Sequence, residues 1–273
     1  MTDKDIIVLF DESSFQNEPF TRKTLYKQGT KHKQKVNPYK FKINATGSLT
    51  INGNSTITIT NSSTSPEIAI ALTELRKANL TNKNTIHILN SILTNITLTD
   101  EELNKLMIEN NQNNEKFTNK ILKTIEKYKD DTTATIARII GKHCKRESIN
   151  NISKRRNLRR EIILNELEKE KIADKISTEQ RICLILDNYS VHKSVFIKTI
   201  AEILNITLIY LPPYSPQLNP IEQLWRQMKN DIQRHYLESK EYLEDLTLKT
   251  FNEIIKITKI YDEWYQSFII KVR

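Results

Sequence analysis

The chain has 273 residues and a formal net charge of +9, from 42 Lys and Arg against 33 Asp and Glu. Four glycines and two cysteines exclude a glycine-rich dinucleotide binder, a collagen-like protein, a disulfide framework and a cysteine-based zinc site, and Cys144 and Cys183 fit a reducing compartment. No apolar run approaches the ~18 residues of a membrane span, and the opening MTDKDIIVLFDES predicts no signal peptide.

The first apolar run, Ile6 to Phe10, is β-branched and predicts a buried strand ended by the turn-forming Asp11, Glu12, Ser13 and Ser14. Two alternating stretches, Ile43 to Ile51 and Ser55 to Thr60, flank Asn52-Gly53, a hairpin signal. From Pro66 to about Ser177 the chain turns polar and helical. Ile68, Leu72 and Leu75 share one face, as do Ile86, Leu89 and Leu93. Ile121, Ile125 and Tyr128 follow, then Ile136, Ile139 and Ile140, after a break at Asn110 to Asn114. Leu158, Ile162 and Leu167, with the charged tract Glu166 to Lys171, predict one long exposed helix.

Apolar β texture returns at Ile182 to Leu186 and stops at Asp187-Asn188. A helix is expected from about Ser194 to Leu204, with Val195, Ile200 and Ile203 inward, then a strand from Ile206 to Leu211. Pro212, Pro213, Pro216 and Pro220 stiffen the next loop. Beyond it Ile221, Leu224, Trp225, Met228 and Ile232 have helical spacing. Tyr242 to Ile270 reads as helix, with Leu246, Phe251, Ile255 and Trp264 as core candidates. The pattern predicts an α/β fold with a mixed sheet flanked by helices and a large helical insertion. The expected divisions are 1–65, 66–178 and 179–273.

The charge is segregated. Between Pro19 and Lys42 lie eight basic residues, including Arg22, Lys23, Lys31, Lys33 and Lys35, and no acid. Between Arg138 and Arg160 lie nine, including Lys145, Arg146, Arg155, Arg156, Arg159 and Arg160, against the single acid Glu147. Together these stretches carry +16, so the remainder of the +9 chain is −7. Such clusters are either solvated basic faces or the footprint of a polyanion; two this dense favour nucleic acid.

Two apolar strands each end in an aspartate, Asp11 and Asp187, where sites form in open α/β sheets. Either alone is also an ordinary turn residue. Asn219-Pro220-Ile221-Glu222 reads as a helix start, with Asn219 as N-cap and Glu222 in the first turn. Glu222 either caps that helix or, held by the stiff loop, joins the two aspartates. Three carboxylates without a Cys or His cluster suit a hard oxygen-seeking cation, Mg²⁺ or Mn²⁺. Trp225 is expected in the core.

The segments VLFDES (8–13), LILDNYSVH (184–192) and LPPYSPQLNPIEQLW (211–225) resemble the three catalytic motifs of DDE transposases, in the mariner-like superfamily of insertion-sequence transposases. The resemblance covers roughly residues 5–65 and 180–270, and the 34 residues between Asp187 and Glu222 match the prokaryotic branch. It implies a ribonuclease H-like core in which Asp11, Asp187 and Glu222 are catalytic and hold two Mg²⁺ or Mn²⁺ ions. It places Asn188, His192 and Asn219 near the site, with His192 a local cap or DNA-backbone contact. It further implies cleavage and strand transfer on double-stranded transposon ends and target, a homodimer, and a cytoplasmic, nucleoid-associated setting in a prokaryote without membrane attachment. Two departures stand out. The usual N-terminal helix-turn-helix region does not precede Ile6, so a separate frame or subunit is expected to supply it. The gap of 175 residues between Asp11 and Asp187 is about twice the usual, and its helical excess is expected to contact DNA or a second copy. A nuclease without strand transfer, and a truncated DNA-binding or oligomerising remnant, are the competing readings.

Overall fold

Five strands form one mixed sheet in the order β3-β2-β1-β4-β5. They are β1 (Ile6–Gln16), β2 (Lys42–Thr50), β3 (Thr56–Thr60), β4 (Ile182–Leu186) and β5 (Ile206–Tyr210). β1 pairs antiparallel with β2 and parallel with β4; β2 pairs antiparallel with β3, and β4 parallel with β5. The computed structural model describes residues 5–17, 37–60, 62–109, 152–213, 215 and 218–256. The Asn52-Gly53 hairpin and the strand–helix–strand unit from Ile182 to Tyr210 fold as the sequence predicts. The sheet with its flanking helices is the expected α/β class with a mixed sheet.

One strand differs. Asp11 to Ser14, expected as a turn, lie inside β1: Asp11 is opposite Gly47, Glu12 opposite Thr46, Ser13 opposite Ala45 and Ser14 opposite Asn44. β2 offers an unbroken antiparallel partner, and its ladder overrides the turn preference of Asp and Ser.

The helices are α1 (Ser65–Ala78), α2 (Lys83–Ile96), α3 (Asp100–Glu109), α4 (152–169), the single turn α5 (Ile172–Lys175), α6 (Val195–Ile203), α7 (Ile221–Ile232) and α8 (Lys240–Ile254). On one face of the sheet, Leu9, Phe15, Ile43, Ala45 and Leu49 pack with Ile221, Leu224, Trp225 and Met228 of α7, and with Leu243, Leu246 and Phe251 of α8. α1 packs against α6 and β3, burying Ile68, Leu72 and Leu75. The stripe of α6 is rotated from the expected one: Ile197, Ile200 and Ala201 are buried, Ile203 is half-buried, and Val195 is 80% exposed. Ser194, whose side chain accepts from the Ile197 N–H, starts the helix and leaves Val195 in its solvated first turn.

The chain forms two compact units, Met1–Asn90 with Lys171–Arg273, and Ser91–Glu170. Residues 66–90 and 171–178 thus belong with the sheet, and the second unit is shorter than the 66–178 helical region. Within it Ile163 and Leu167 of α4 are buried, whereas Leu158 and Ile162 are half-buried. The helices expected between Ile121 and Ile140, the Asn110 to Asn114 break and Trp264 lie outside the described residues. Among the described residues no helix is long and apolar enough to cross a membrane.

Arg76 of α1 is fully buried, a residue composition alone did not single out. Its guanidinium donates to the carbonyls of Leu204 (2.7 Å), Gln180 (2.8 Å) and Asn205 (2.6 Å). These carbonyls lie where the chain enters β4 and β5, so one side chain ties α1 to both strand starts. Burial pulls the guanidinium down to about 10, with the nearby Glu179 charge opposing, so it stays charged at neutral pH. Arg76→Met fills similar space but takes the donor from the buried Leu204 carbonyl and from the part-buried Gln180 and Asn205 carbonyls, the last of which keeps the Ile182 N–H. We expect a loss of about 2–4 kcal/mol, read as a lower urea midpoint at unchanged slope.

Candidate active site

Register brings the two aspartates to one level. Leu9 pairs with Ile185 at the end of the parallel β1–β4 ladder, and Asp11 and Asp187 each lie two residues beyond that pair. β4 ends at Leu186, and there the chain turns away. The Asp187 carboxylate accepts the Tyr189 N–H at 3.0 Å, an Asx turn that leads into successive turns through Ser194.

The third segment is fastened to the first. Asn219, expected as an N-cap, instead donates its side-chain amide to the Phe10 carbonyl at 3.1 Å. Pro220 takes the cap position of α7 without a side-chain cap bond, and the Glu222 N–H bonds the Asn219 carbonyl at 3.1 Å. Glu222 therefore stands in the first turn of α7, where the helix dipole favours a carboxylate. Asp11, Asp187, Asn188, Asn219 and Glu222 line one cleft of about 410 Å³, walled by Tyr189, Leu211, Pro212, Pro213 and Ser215.

Two braces reach the aspartates from opposite faces of the sheet. Trp225, a core residue as expected, also donates its indole N–H to Asp11 Oδ2 at 3.0 Å. His192, expected as a cap or DNA contact, is wholly buried and lies between two carboxylates. Its Nε2 is 2.9 Å from Glu12 Oε1, and its Nδ1 is 2.9 Å from Asp187 Oδ1. In the second contact Nδ1 has no aligned hydrogen-bond acceptor, and the pair is ionic when the imidazole is protonated. Burial works against protonation of this imidazole, but the Glu12 hydrogen bond and the Glu12 and Asp187 charges outweigh it and hold its pKa above the ordinary value. Tyr210 donates to the His192 carbonyl at 3.0 Å and steadies the turn. Glu12 and the indole donor went unforeseen; alternation along β1, which aims Glu12 opposite to Asp11, is the signal that could have found the first.

The cleft carries unbalanced negative charge. Burial, then the Glu222 and Glu12 carboxylates, raise Asp11 from 3.8 to about 7, while the Glu12 N–H and Trp225 lower it. Asn188 Oδ1 and Asn219 Oδ1 are buried without a hydrogen-bond partner. An all-oxygen donor set with excess negative charge fits a hard divalent cation by its chemistry. Among the described residues no three Asp, Glu, His or Cys side chains converge on a single ion position, so the carboxylates line the cleft without closing on one point.

The expected DNA contacts divide. Arg22, Lys23, Lys31, Lys33, Lys35, Lys145 and Arg146 lie outside the described residues. On α4, Arg155 and Arg159 turn to Asp100 of α3, at 3.6 and 4.0 Å, and Arg159 also donates to the Leu98 carbonyl. Arg160 meets Asn157 at 3.4 Å, and Arg156 is exposed.

Asp11 yields a pH prediction. Its folded value near 7 exceeds its unfolded 3.8, so the stability of the protonated form is full below pH 3.8 and is lost as pH rises through 7. In metal-free buffer at pH 8, Asp11→Asn should be more stable than wild type by on the order of 1–3 kcal/mol, and the gap should close toward pH 4. Thermal melts across this range check it; a gap independent of pH contradicts the crowding of Asp11.

Comparison with known proteins adds the following. Residues 138–244, which contain Asp187 and Glu222, match the family model of the DDE superfamily endonucleases. No curated protein matches the chain. Two solved structures, the Mos1 strand transfer complex and the Mos1 mariner paired end complex with Mn, resemble it at 11% identity and a TM-score of 0.39. They cover 92% of this chain, which spans 51% and 52% of theirs.

Proposed function

We propose that this chain is the catalytic part of a mariner-like DDE transposase, which cleaves transposon-end DNA and joins it to a target. The observation that supports the reading is that Asp11, Asp187 and Glu222 line one cleft, the last two within the residues 138–244 that match the DDE superfamily endonuclease model. Asp11, Asp187 and Glu222 are the residues that would hold two Mg²⁺ or Mn²⁺ ions, with Asn188 and Asn219 supplying further oxygens. Bound there, such ions would lower the pKa of an attacking water or 3′-hydroxyl and offset charge on the leaving oxygen.

The protein's own residues prepare that chemistry. His192 and the Tyr189 N–H fix Asp187 at the cleft, and Trp225 fixes Asp11. Asn219 holds the start of α7, and with it Glu222, against β1. The exposed prolines 212 and 213 leave the cleft open on one side to a backbone phosphate. Hydrolysis of the phosphodiester frees a 3′-hydroxyl. Attack of that hydroxyl on a target phosphodiester forms the new bond and releases a target 3′-hydroxyl. The two basic tracts of the sequence would hold the polyanion, and two ends would call for a second copy of the chain.

Incubation with labelled terminal-repeat DNA and Mg²⁺ should give nicked and joined products, and Asp187→Asn should reduce both to background. Nicking without joining would reduce the function to a nuclease, and binding without cutting would overturn the enzyme reading. Arg156, the exposed arginine of α4, is expected on DNA rather than in the fold. Arg156→Gln should lower the slope of log affinity against log salt by about one without moving the melting temperature, and an unchanged slope would remove it from the DNA interface.

A further inference from the structure

We infer that Trp225, seated on Gly47, is a positioning residue that occupies Asp11 Oδ2 and leaves the other carboxylate oxygen as the one presented to a divalent cation. The inference rests on the proposed role of Asp11 as a metal ligand. Trp225 is 2% exposed, and a buried indole N–H needs an acceptor. The acceptor it finds is Asp11 Oδ2 at 3.0 Å, on the edge of the proposed metal site.

The sheet is shaped to allow this contact. Gly47 is the residue directly opposite Asp11 on β2. A Cβ at position 47 would stand 2.3 Å from Trp225 Cη2 and 2.6 Å from Cζ2. Any side chain there would push the ring off its seat. Phe15, two pleats further along the same face of β1, meets the ring edge-on, with centroids 6.0 Å apart and planes at 76°. A notch without a side chain, an aromatic stop and a carboxylate thus fix the ring in place and in direction. Filling the core requires only a large flat side chain; the N–H directed at Asp11 is a separate property. Losing a partner that orients a ligand in this way typically costs about 10–100-fold in metal affinity or activity.

Trp225→Phe separates the two properties, keeping the ring and removing the donor. Free Mn²⁺ measured by electron paramagnetic resonance should show binding to the wild type, loss of it in Asp11→Asn, and affinity about tenfold weaker in Trp225→Phe. Leu72→Ala, a core truncation on α1 that does not line the cleft, should lower the melting temperature and leave Mn²⁺ affinity unchanged. Wild-type affinity in Trp225→Phe, with binding lost in Asp11→Asn, would overturn the positioning role and leave the metal site standing. Equal affinity of wild type and Asp11→Asn, or no binding by the wild type, would overturn both. A second measurement covers poor folding of the variant. In wild-type protein with ¹⁵N-labelled indoles, added Mg²⁺ should shift the Trp225 Nε1–H resonance, identified with Trp264→Phe, and Asp11→Asn should abolish the shift. A resonance that Mg²⁺ leaves unmoved would overturn the inference.

Discussion

The site depends on β1 outrunning its parallel neighbour. β1 has eleven residues and β4 five, and their ladder stops at the level of Leu9 and Ile185. Beyond that level β1 continues only because β2 pairs with it through Gln16. Two consequences follow. Asp187 emerges from β4 just where the chain is free to turn. Asp11 lies on a strand that is still rigid, so its position is set by a ladder and not by a loop. A shorter β2 would have returned Asp11 to Ser14 to the turn their composition favours.

Because successive residues of a strand point to opposite faces, the overhang serves both sides of the sheet. Asp11 shares the face of Leu9 and Phe15 and meets Trp225. Glu12 points the other way and meets His192, which in turn contacts Asp187. Adjacent residues thus address the two aspartates from different directions. The arrangement concentrates negative charge at one place, and the pKa of Asp11 is raised first by burial and then by the Glu222 and Glu12 carboxylates. Charge crowding of this kind opposes folding and belongs to sites where a cation is expected to complete the balance.

The apolar runs that became β1, β4 and β5 were legible, as were the Asn52-Gly53 hairpin, the stripes of α1 and α7, and the three carboxylates that line one cleft. These are short-range signals: β-branched runs, turn chemistry and helical period. What escaped was set by partners distant along the chain. Asp11 to Ser14 have turn chemistry, and only pairing with residues 44–47 makes them strand. Asn219 has N-cap chemistry, and only the Phe10 carbonyl, 209 positions away, redirects it. Arg76 looks like an exposed helical cation until three carbonyls from residues 180–205 surround it. Local preference read the residue types correctly and could not see which competing bond tertiary contact would offer.

The length of the third motif follows from this geometry. Glu222 and Trp225 are three residues apart, hence neighbours on one side of α7. Both act on Asp11 with opposite sign: the Glu222 charge disfavours its ionised form and the Trp225 N–H favours it. A shift of α7 would alter both contacts together, so the helix must be held by something that does not itself carry the charge. The Asn219 amide on the Phe10 carbonyl supplies one such restraint, and Ile221, Leu224 and Met228 in the core supply the other. Asparagine, proline, glutamate and tryptophan at 219, 220, 222 and 225 therefore answer four separate demands: anchoring, helix entry, charge and orientation. No single one of those demands explains the segment, and meeting all four within seven residues is why it stands out so sharply from the rest of the chain.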